Sequence, residues 1–222
     1  PFKTLYLLHG FTDNHTQWLM GSRIALLAEQ ARLAVIMPAG ENSFYVDDER
    51  RGHLYGEFIG RELVEQTREM FHLSTKREDT FIAGLSMGGY GAVPNGLKYH
   101  ETFSHIAGLS SAFILDRALN STPHAESLLE RRSYFESIFG NLDELIGSDK
   151  DYKALIQKLK NEAVDIPQLY LACGTEDFLI EQNRDYRDFL KQEAIEFTYV
   201  ESPGIHDWKF WDTYIEKVIE WL

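Results

Sequence analysis

Short apolar or β-branched runs recur along the chain at Thr4 to Leu8, Ala34 to Met37, Thr80 to Ala83, Ile106 to Leu109, Gln168 to Ala172 and Glu196 to Val200. Each is apolar on consecutive positions and bounded by Gly, Pro or Asp, a pattern that predicts strands buried on both faces of a parallel sheet. Segments of helical period fill the intervals. Ser22 is placed to cap a helix whose apolar face is Ile24, Leu27, Ala28 and Ala31, and Tyr55, Ile59, Leu63 and Met70 mark a longer one. The last helix is the clearest, because Trp211, Tyr214, Ile215, Val218, Ile219 and Leu222 repeat at the i, i+3, i+4, i+7 spacing of one face. Strand alternating with helix predicts an α/β fold, doubly wound about a mostly parallel sheet.

One stretch breaks the alternation. From Ser111 to Asp165 the chain is rich in charge, with Pro123 and several glycines, and offers helical pieces around Ser127 to Phe139 and Tyr152 to Lys160 but no strand. Two readings stand: a helical connection on the surface, or a cap inserted over the carboxyl edge of the sheet, where α/β folds place their ligands. No interdomain linker or repeat interrupts residues 1–222, so one domain is expected, with 111–165 as the candidate cap.

At 222 residues, 44% hydrophobic and 26% charged, the composition is that of a globular chain able to bury a sizeable core. The balance of 22 Lys+Arg against 35 Asp+Glu gives a formal charge of −13, which repels phosphate backbones and anionic lipid and argues against a nucleic-acid partner. No apolar run approaches the roughly 20 residues that cross a bilayer, so no membrane anchor is expected. The single cysteine, Cys173, allows no internal disulfide and fits a reducing, cytoplasmic setting. A homo-oligomer is compatible with all of this.

Candidate chemistry begins at Gly84-Leu85-Ser86-Met87-Gly88, a G-x-S-x-G directly after a predicted strand and directly before a helix-compatible stretch. A serine on a sharp strand-to-helix turn needs small neighbours two positions to either side, and the turn aims its hydroxyl out of the sheet. It also sets the Met87 amide at a helix N-terminus, where it can stabilise an oxyanion. A dinucleotide-binding glycine loop is the competing reading of Gly84 to Gly91. It fails because the loop lies mid-chain, the spacing is not G-x-G-x-x-G, and no acidic residue ends a following strand.

A serine hydroxyl needs a base and an orienting acid, which in this fold follow it in the order acid, then histidine. His206, between the last strand and the last helix, is the histidine that follows a plausible acid. After the strand Gln168 to Ala172 stand Glu176 and Asp177, and Asp177 is chosen because a shorter carboxylate beside Phe178 is easier to hold fixed. Helix capping is the competing role for Asp177, and it would leave that carboxylate nothing to do for His206. At the end of the first strand His9-Gly10-Phe11 offers the Phe11 amide as second oxyanion donor, with His9 itself structural. Phe44, Tyr45, Trp208 and Trp211 are candidates for the pocket wall beside Phe11. No paired Cys/His spacing or H-E-x-x-H occurs, so neither metal nor cofactor is expected.

His9-Gly10-Phe11, Asn42-Ser43-Phe44-Tyr45 with Tyr55-Gly56-Glu57-Phe58-Ile59 and Glu62-Leu63, Gly84 through Ala92, and His206-Asp207-Trp208 with Trp211 together resemble the esterase D family of α/β hydrolases, nearest to its tributyrin esterase type. The resemblance covers nearly the whole chain and is weakest over 111–165. It implies the α/β-hydrolase fold, Ser86 as nucleophile, Asp177 as acid, His206 as base, and the Phe11 and Met87 amides as oxyanion hole. Members usually open with a pair of strands ahead of the His-Gly strand, whereas here Pro1 lies directly before it. The longer insertion that S-formylglutathione hydrolases carry ahead of Phe-Tyr-Val-Asp is also missing, since Pro38 to Asn42 leads straight into that stretch.

The expectation is a serine carboxylesterase acting on short-chain acyl esters of small molecules. S-formylglutathione hydrolase and feruloyl or acetylxylan esterase are its rivals within the family. A binding protein that kept the fold and lost turnover is the rival from another class.

Overall fold

The computed structural model describes residues 1–222. Its strands are β1 (Lys3–Leu8), β2 (Leu33–Ile36), β3 (Asp47–Asp48), β4 (His53–Leu54), β5 (Thr80–Leu85), β6 (His105–Leu109), β7 (Gln168–Gly174) and β8 (Phe197–Ser202). Six of them form one sheet in the order β2-β1-β5-β6-β7-β8, parallel at every junction. All six predicted strands are present, and each apolar run falls on one, with Met37 and Glu196 a residue outside β2 and β8. β3 and β4 form a separate two-stranded antiparallel hairpin that no apolar run announced.

Alternate residues of each strand face opposite layers. Tyr6, Leu8 and Ile82 pack into one apolar cluster with the helices Met87–Lys98, Tyr152–Asn161 and Ile180–Gln192. Leu5, Leu7, Phe81, Ala83 and Leu85 pack into the other, with Ile24–Ala31 and Trp208–Trp221. A sheet covered on both faces explains why the strands read as continuous apolar runs.

Three local expectations need correction. Arg23, not Ser22, holds the cap position of Ile24–Ala31, while the Ser22 hydroxyl accepts a 3.3 Å bond from the Ile24 amide and donates to the Trp18 carbonyl. Ala31 is exposed at the end of that helix. Met70 is 71% exposed, because the helix 55–70 carries a π-helical segment, Phe58–Glu62, whose wider turn shifts the face that follows.

The stretch 111–165 is helical, with Leu115–Leu119, Arg132–Phe139 and Tyr152–Asn161 and no strand. It is no loose surface connection. Phe113, Phe135, Phe139, Leu142 and Ile156 are buried in the first cluster, where Phe139 meets Tyr90 of the helix Met87–Lys98 edge-on at 5.9 Å.

The chain leaves β1 for β2 on one side and returns to β5 on the other, so β1 and β5 flank the point where strand order reverses. Open α/β sheets carry their crevice at the carboxyl ends of such strands. The loop Gly10–Asp13 and the turn at Ser86 both stand there.

Candidate active site

β5 ends at Leu85, and Ser86 takes φ 53° and ψ −116° before Met87 opens the helix. A non-glycine residue in that region is strained, and the surroundings hold it there. The Ser86 amide donates to the Leu109 carbonyl at 2.8 Å, and its own carbonyl accepts from Ala112 at 2.9 Å. The two flanking glycines are required by space. A Cβ on Gly84 would enter the Gly88 carbonyl, and one on Gly88 would lie 2.5 Å from the Leu8 carbonyl oxygen. The turn therefore forms only where strand, helix and β1 pass at backbone distance.

The ends of β7 and β8 are pinched in the same way. A Cβ on Gly174 would strike the Gly204 carbonyl, while Thr175 donates to Ser202 and Glu176 to Gly204. This places Asp177, 2% exposed, beside the loop that carries His206. Asp177 Oδ2 lies 2.8 Å from His206 Nδ1, and His206 Nε2 lies 3.0 Å from Ser86 Oγ. An ionised carboxylate only accepts, so Nδ1 carries the proton and Nε2 is left to accept from the Ser86 hydroxyl. Burial acts to raise the Asp177 carboxyl, but hydrogen bonds from His206 and the Leu179 amide outweigh it and hold the carboxyl below the usual aspartate range.

Asp177 does not cap the helix that follows, since Leu179 holds the cap position of Ile180–Gln192 with no side-chain cap bond. Oδ1 accepts the Leu179 amide at 2.9 Å ahead of the helix Ile180–Gln192, and Oδ2 stays free for His206. Glu176, the other acid considered, accepts from the Gly204 amide at 2.6 Å and braces the same loop.

The Phe11 amide donates to no protein acceptor, and the Met87 amide is the first of its helix, among those an α-helix leaves unpaired. The loop that carries Phe11 is fixed from beneath. His9 Nδ1 donates to the Gly10 carbonyl at 2.8 Å, and Nε2 accepts the Gly40 amide at 2.9 Å. Burial lowers its pKa, and with one nitrogen donating and the other accepting the ring is neutral and structural. Asn42 accepts the Thr12 amide at 2.8 Å, which ties the turn to the 38–46 segment.

Above Ser86 lies a cleft of about 490 Å³ lined by Gly10, Phe11, Asp13, Leu85, Phe178, His206, Asp207, Trp208 and Trp211. Trp211 meets the His206 ring edge-on at 4.9 Å, and Phe178, 69% exposed, covers His206 from outside at 4.5 Å. Trp208 and Trp211 thus stand where the pocket wall was expected. Phe44 and Tyr45 do not. Both are buried in the core, where Tyr45 fills the space left by Gly40 and Gly91 and donates to the His9 carbonyl. No residue of 111–165 lines the cleft, but the Tyr134 ring lies 6.4 Å from that of Phe11 at its rim.

The sequence gives no role to Ser110, and it brings in Asn42 only within a motif and Phe178 only as the neighbour of the chosen acid. Phe178 was legible as a large apolar residue next to the chosen acid, and Ser110 as a polar residue at a strand's carboxyl end. No group of three or more His, Cys, Asp or Glu side chains is arranged to hold a metal ion.

The chain matches the Esterase family model, described as "Putative esterase", over residues 1–220. It is 50% identical over 220 residues to an acetyl esterase of Caldicellulosiruptor saccharolyticus, covering 99% of this chain and 83% of that protein. Among solved structures it is similar to the substrate-bound fluorophosphonate-binding serine hydrolase F of Staphylococcus aureus, with TM-score 0.87 and 34% identity over 100% of this chain and 83% of that one. It is equally similar to the S-formylglutathione hydrolase of Staphylococcus aureus, with TM-score 0.86 and 34% identity over 100% of this chain and 84% of that one. These are serine hydrolases, and the chain shares their α/β-hydrolase fold. With a match that runs the length of the chain, the protein belongs to the Esterase family and is a carboxylic ester hydrolase of the serine type.

Proposed function

We propose that the protein hydrolyses short-chain acyl esters of small-molecule alcohols through an acyl-enzyme on Ser86, with His206 as base, Asp177 as its orienting acid and the Phe11 and Met87 amides as oxyanion hole. The observation that carries this reading is His206 bonded at once to Asp177 (2.8 Å) and Ser86 (3.0 Å) at the floor of an open cleft. His206 Nε2 takes the Ser86 proton as Oγ attacks the ester carbonyl, and the oxyanion that forms is met by the two amides. The imidazolium then gives its proton to the departing alcohol. Water activated by the same nitrogen releases the acyl group and restores Ser86.

The preference for a short acyl group is supported by 50% identity to an acetyl esterase, and within the family it agrees with the tributyrin esterase type. The stretch 111–165 acts as a cap in this account, supported by Tyr134 against Phe11 at the rim of the cleft. The lone, buried Cys173 supports a cytoplasmic setting. A second reading, hydrolysis of S-formylglutathione, has its own support in the 34% identity to an enzyme of that activity.

The two separate on rates. Under the first, kcat/KM for p-nitrophenyl acetate and butyrate exceeds that for chains of about ten carbons and for S-formylglutathione, because a chain longer than its pocket is rejected by clash. A maximum on the thioester selects the second reading, and a maximum at long acyl chains excludes the short-chain preference.

A further inference from the structure

The cleft above Ser86 carries fixed charge of one sign. Of the side chains that line it, Asp13 and Asp207 are acidic and none is Lys or Arg, while Phe11, Phe178, Trp208 and Trp211 make up its walls. Asp207 has a structural use, since its carboxylate accepts the Phe210 amide at 3.0 Å and caps the helix Trp208–Trp221. Asp13 has no such use. It is half-buried, its carboxylate takes part in no hydrogen bond or Lys or Arg ion pair, and burial raises its pKa. It also stands beside the nucleophile. A side chain on Gly10 would begin 3.4 Å from Asp13 Oδ2 and 3.7 Å from Ser86 Cβ, so the carboxylate and the serine flank the same glycine.

For an uncharged ester this placement is unfavourable. The substrate's carbonyl oxygen turns negative as Ser86 attacks, and a carboxylate beside the Gly10–Phe11 turn repels it. A positive group on the substrate reverses the balance, because it pairs with the carboxylate and lies against aromatic rings whose faces attract cations. We propose that the cleft selects esters whose alcohol carries a positive charge, the esters of amino alcohols, with Asp13 as the specificity-determining carboxylate and Phe178, Trp208 and Trp211 as the wall that meets the cation. The alcohol is the part concerned, because its departing oxygen must come within hydrogen-bond reach of His206 Nε2 to take the proton. Phe178 and Trp211 stand 4.5 Å and 4.9 Å from that imidazole, so the group behind the oxygen leaves past them. A net-anionic leaving group such as glutathione meets Asp13 and Asp207 with no cation to offset them.

The inference rests on the reading of Ser86, His206 and Asp177 above, and the experiment separates the two. Acetylcholine is compared with 3,3-dimethylbutyl acetate, which has carbon in place of the ammonium nitrogen and nearly the same shape. The comparison is made in wild type, Asp13→Asn, Asp13→Glu, Asp207→Asn and Glu78→Gln, with the site of fluorophosphonate labelling located by mass spectrometry. The wild type should label at Ser86 and favour the cationic ester by roughly 10-fold in kcat/KM, the size expected of one unit charge at a partly exposed site. Asp13→Asn should lose most of that preference, acting more slowly on acetylcholine but no more slowly on the uncharged ester, whereas a loss of structure would slow both. Asp13→Glu should retain the preference, and added salt should weaken it in the wild type. Asp207→Asn, which keeps an oxygen for the Phe210 amide, should lose a smaller part, and it carries the test if Asp13→Asn does not fold. Glu78→Gln removes an exposed charge just ahead of β5, at the edge opposite the cleft, and should change nothing. Labelling at Ser86 without a preference for the cationic ester, or with equal losses on both esters in Asp13→Asn, overturns the role of Asp13 and leaves the triad standing. An equal shift in Glu78→Gln overturns it by assigning the preference to the charge of the whole molecule. A wild type that does not label at Ser86 overturns both the role and the reading beneath it.

Discussion

The Tyr45 hydroxyl donates a 3.1 Å hydrogen bond to the main-chain carbonyl of His9, two residues before the amide assigned to the oxyanion hole. Tyr45 is fully buried, with its ring clamped where side chains on Gly40 and Gly91 would otherwise lie. It supports the loop from beneath and does not touch a substrate. Tyr45→Phe should keep the packing, lower stability by about 1 kcal/mol and reduce kcat more than KM. Denaturant unfolding and steady-state kinetics check this. A rise in KM with kcat unchanged would mean that Tyr45 meets the substrate after all.

Gly88→Ala tests the turn. Its Cβ would sit 2.5 Å from the Leu8 carbonyl oxygen and 2.6 Å from that of His9, both backbone atoms that cannot swing aside. The variant should lose about 1–3 kcal/mol of stability and most of its activity. Gly147→Ala is the comparison: φ is +82° there, with nothing within 4 Å of the added carbon. It should cost stability through backbone strain alone and leave turnover intact. Equal activity in the two variants would refute the packing argument.

Asp177→Asn is expected to lower kcat by roughly 10⁴-fold, because an amide in that place no longer selects the tautomer with the proton on Nδ1. It also has a signature in acid. The Asp177 carboxyl is held below the free aspartate value of about 3.9, so the native state binds this proton less readily than the unfolded chain does. The ionised group therefore adds stability above about pH 4, and that contribution disappears as pH falls through the native value. Unfolding free energies measured between pH 5 and acid should decline less steeply in Asp177→Asn than in the wild type. Parallel slopes would show that the carboxyl is not held low.

The strands were legible because both faces of the sheet are covered, which leaves runs such as Leu5 to Leu8 apolar without interruption. The Ser86 turn was legible because Gly84 and Gly88 are forced by backbone contact and so leave a local trace. Tyr45 was misread for the opposite reason. An aromatic side chain near a motif looks the same whether it lines a pocket or, as Tyr45 does over Gly91, fills the gap above a distant glycine. Met70 slipped off its predicted face because a π-helical turn at Phe58–Glu62 changes the period, and nothing in side-chain type marks it. The bonds of Asn42 and Ser110 join segments 30 and 101 residues apart, a distance at which one sequence carries no signal.

The central claim is that Ser86 attacks the ester. The most direct measurement is turnover of p-nitrophenyl acetate by Ser86→Ala, with unfolding followed alongside to show that the variant is folded. The account predicts that kcat falls by several orders of magnitude, leaving only the roughly 10³ to 10⁴ over water that binding and an oxyanion hole supply. Turnover near that of the wild type in the folded variant would contradict it.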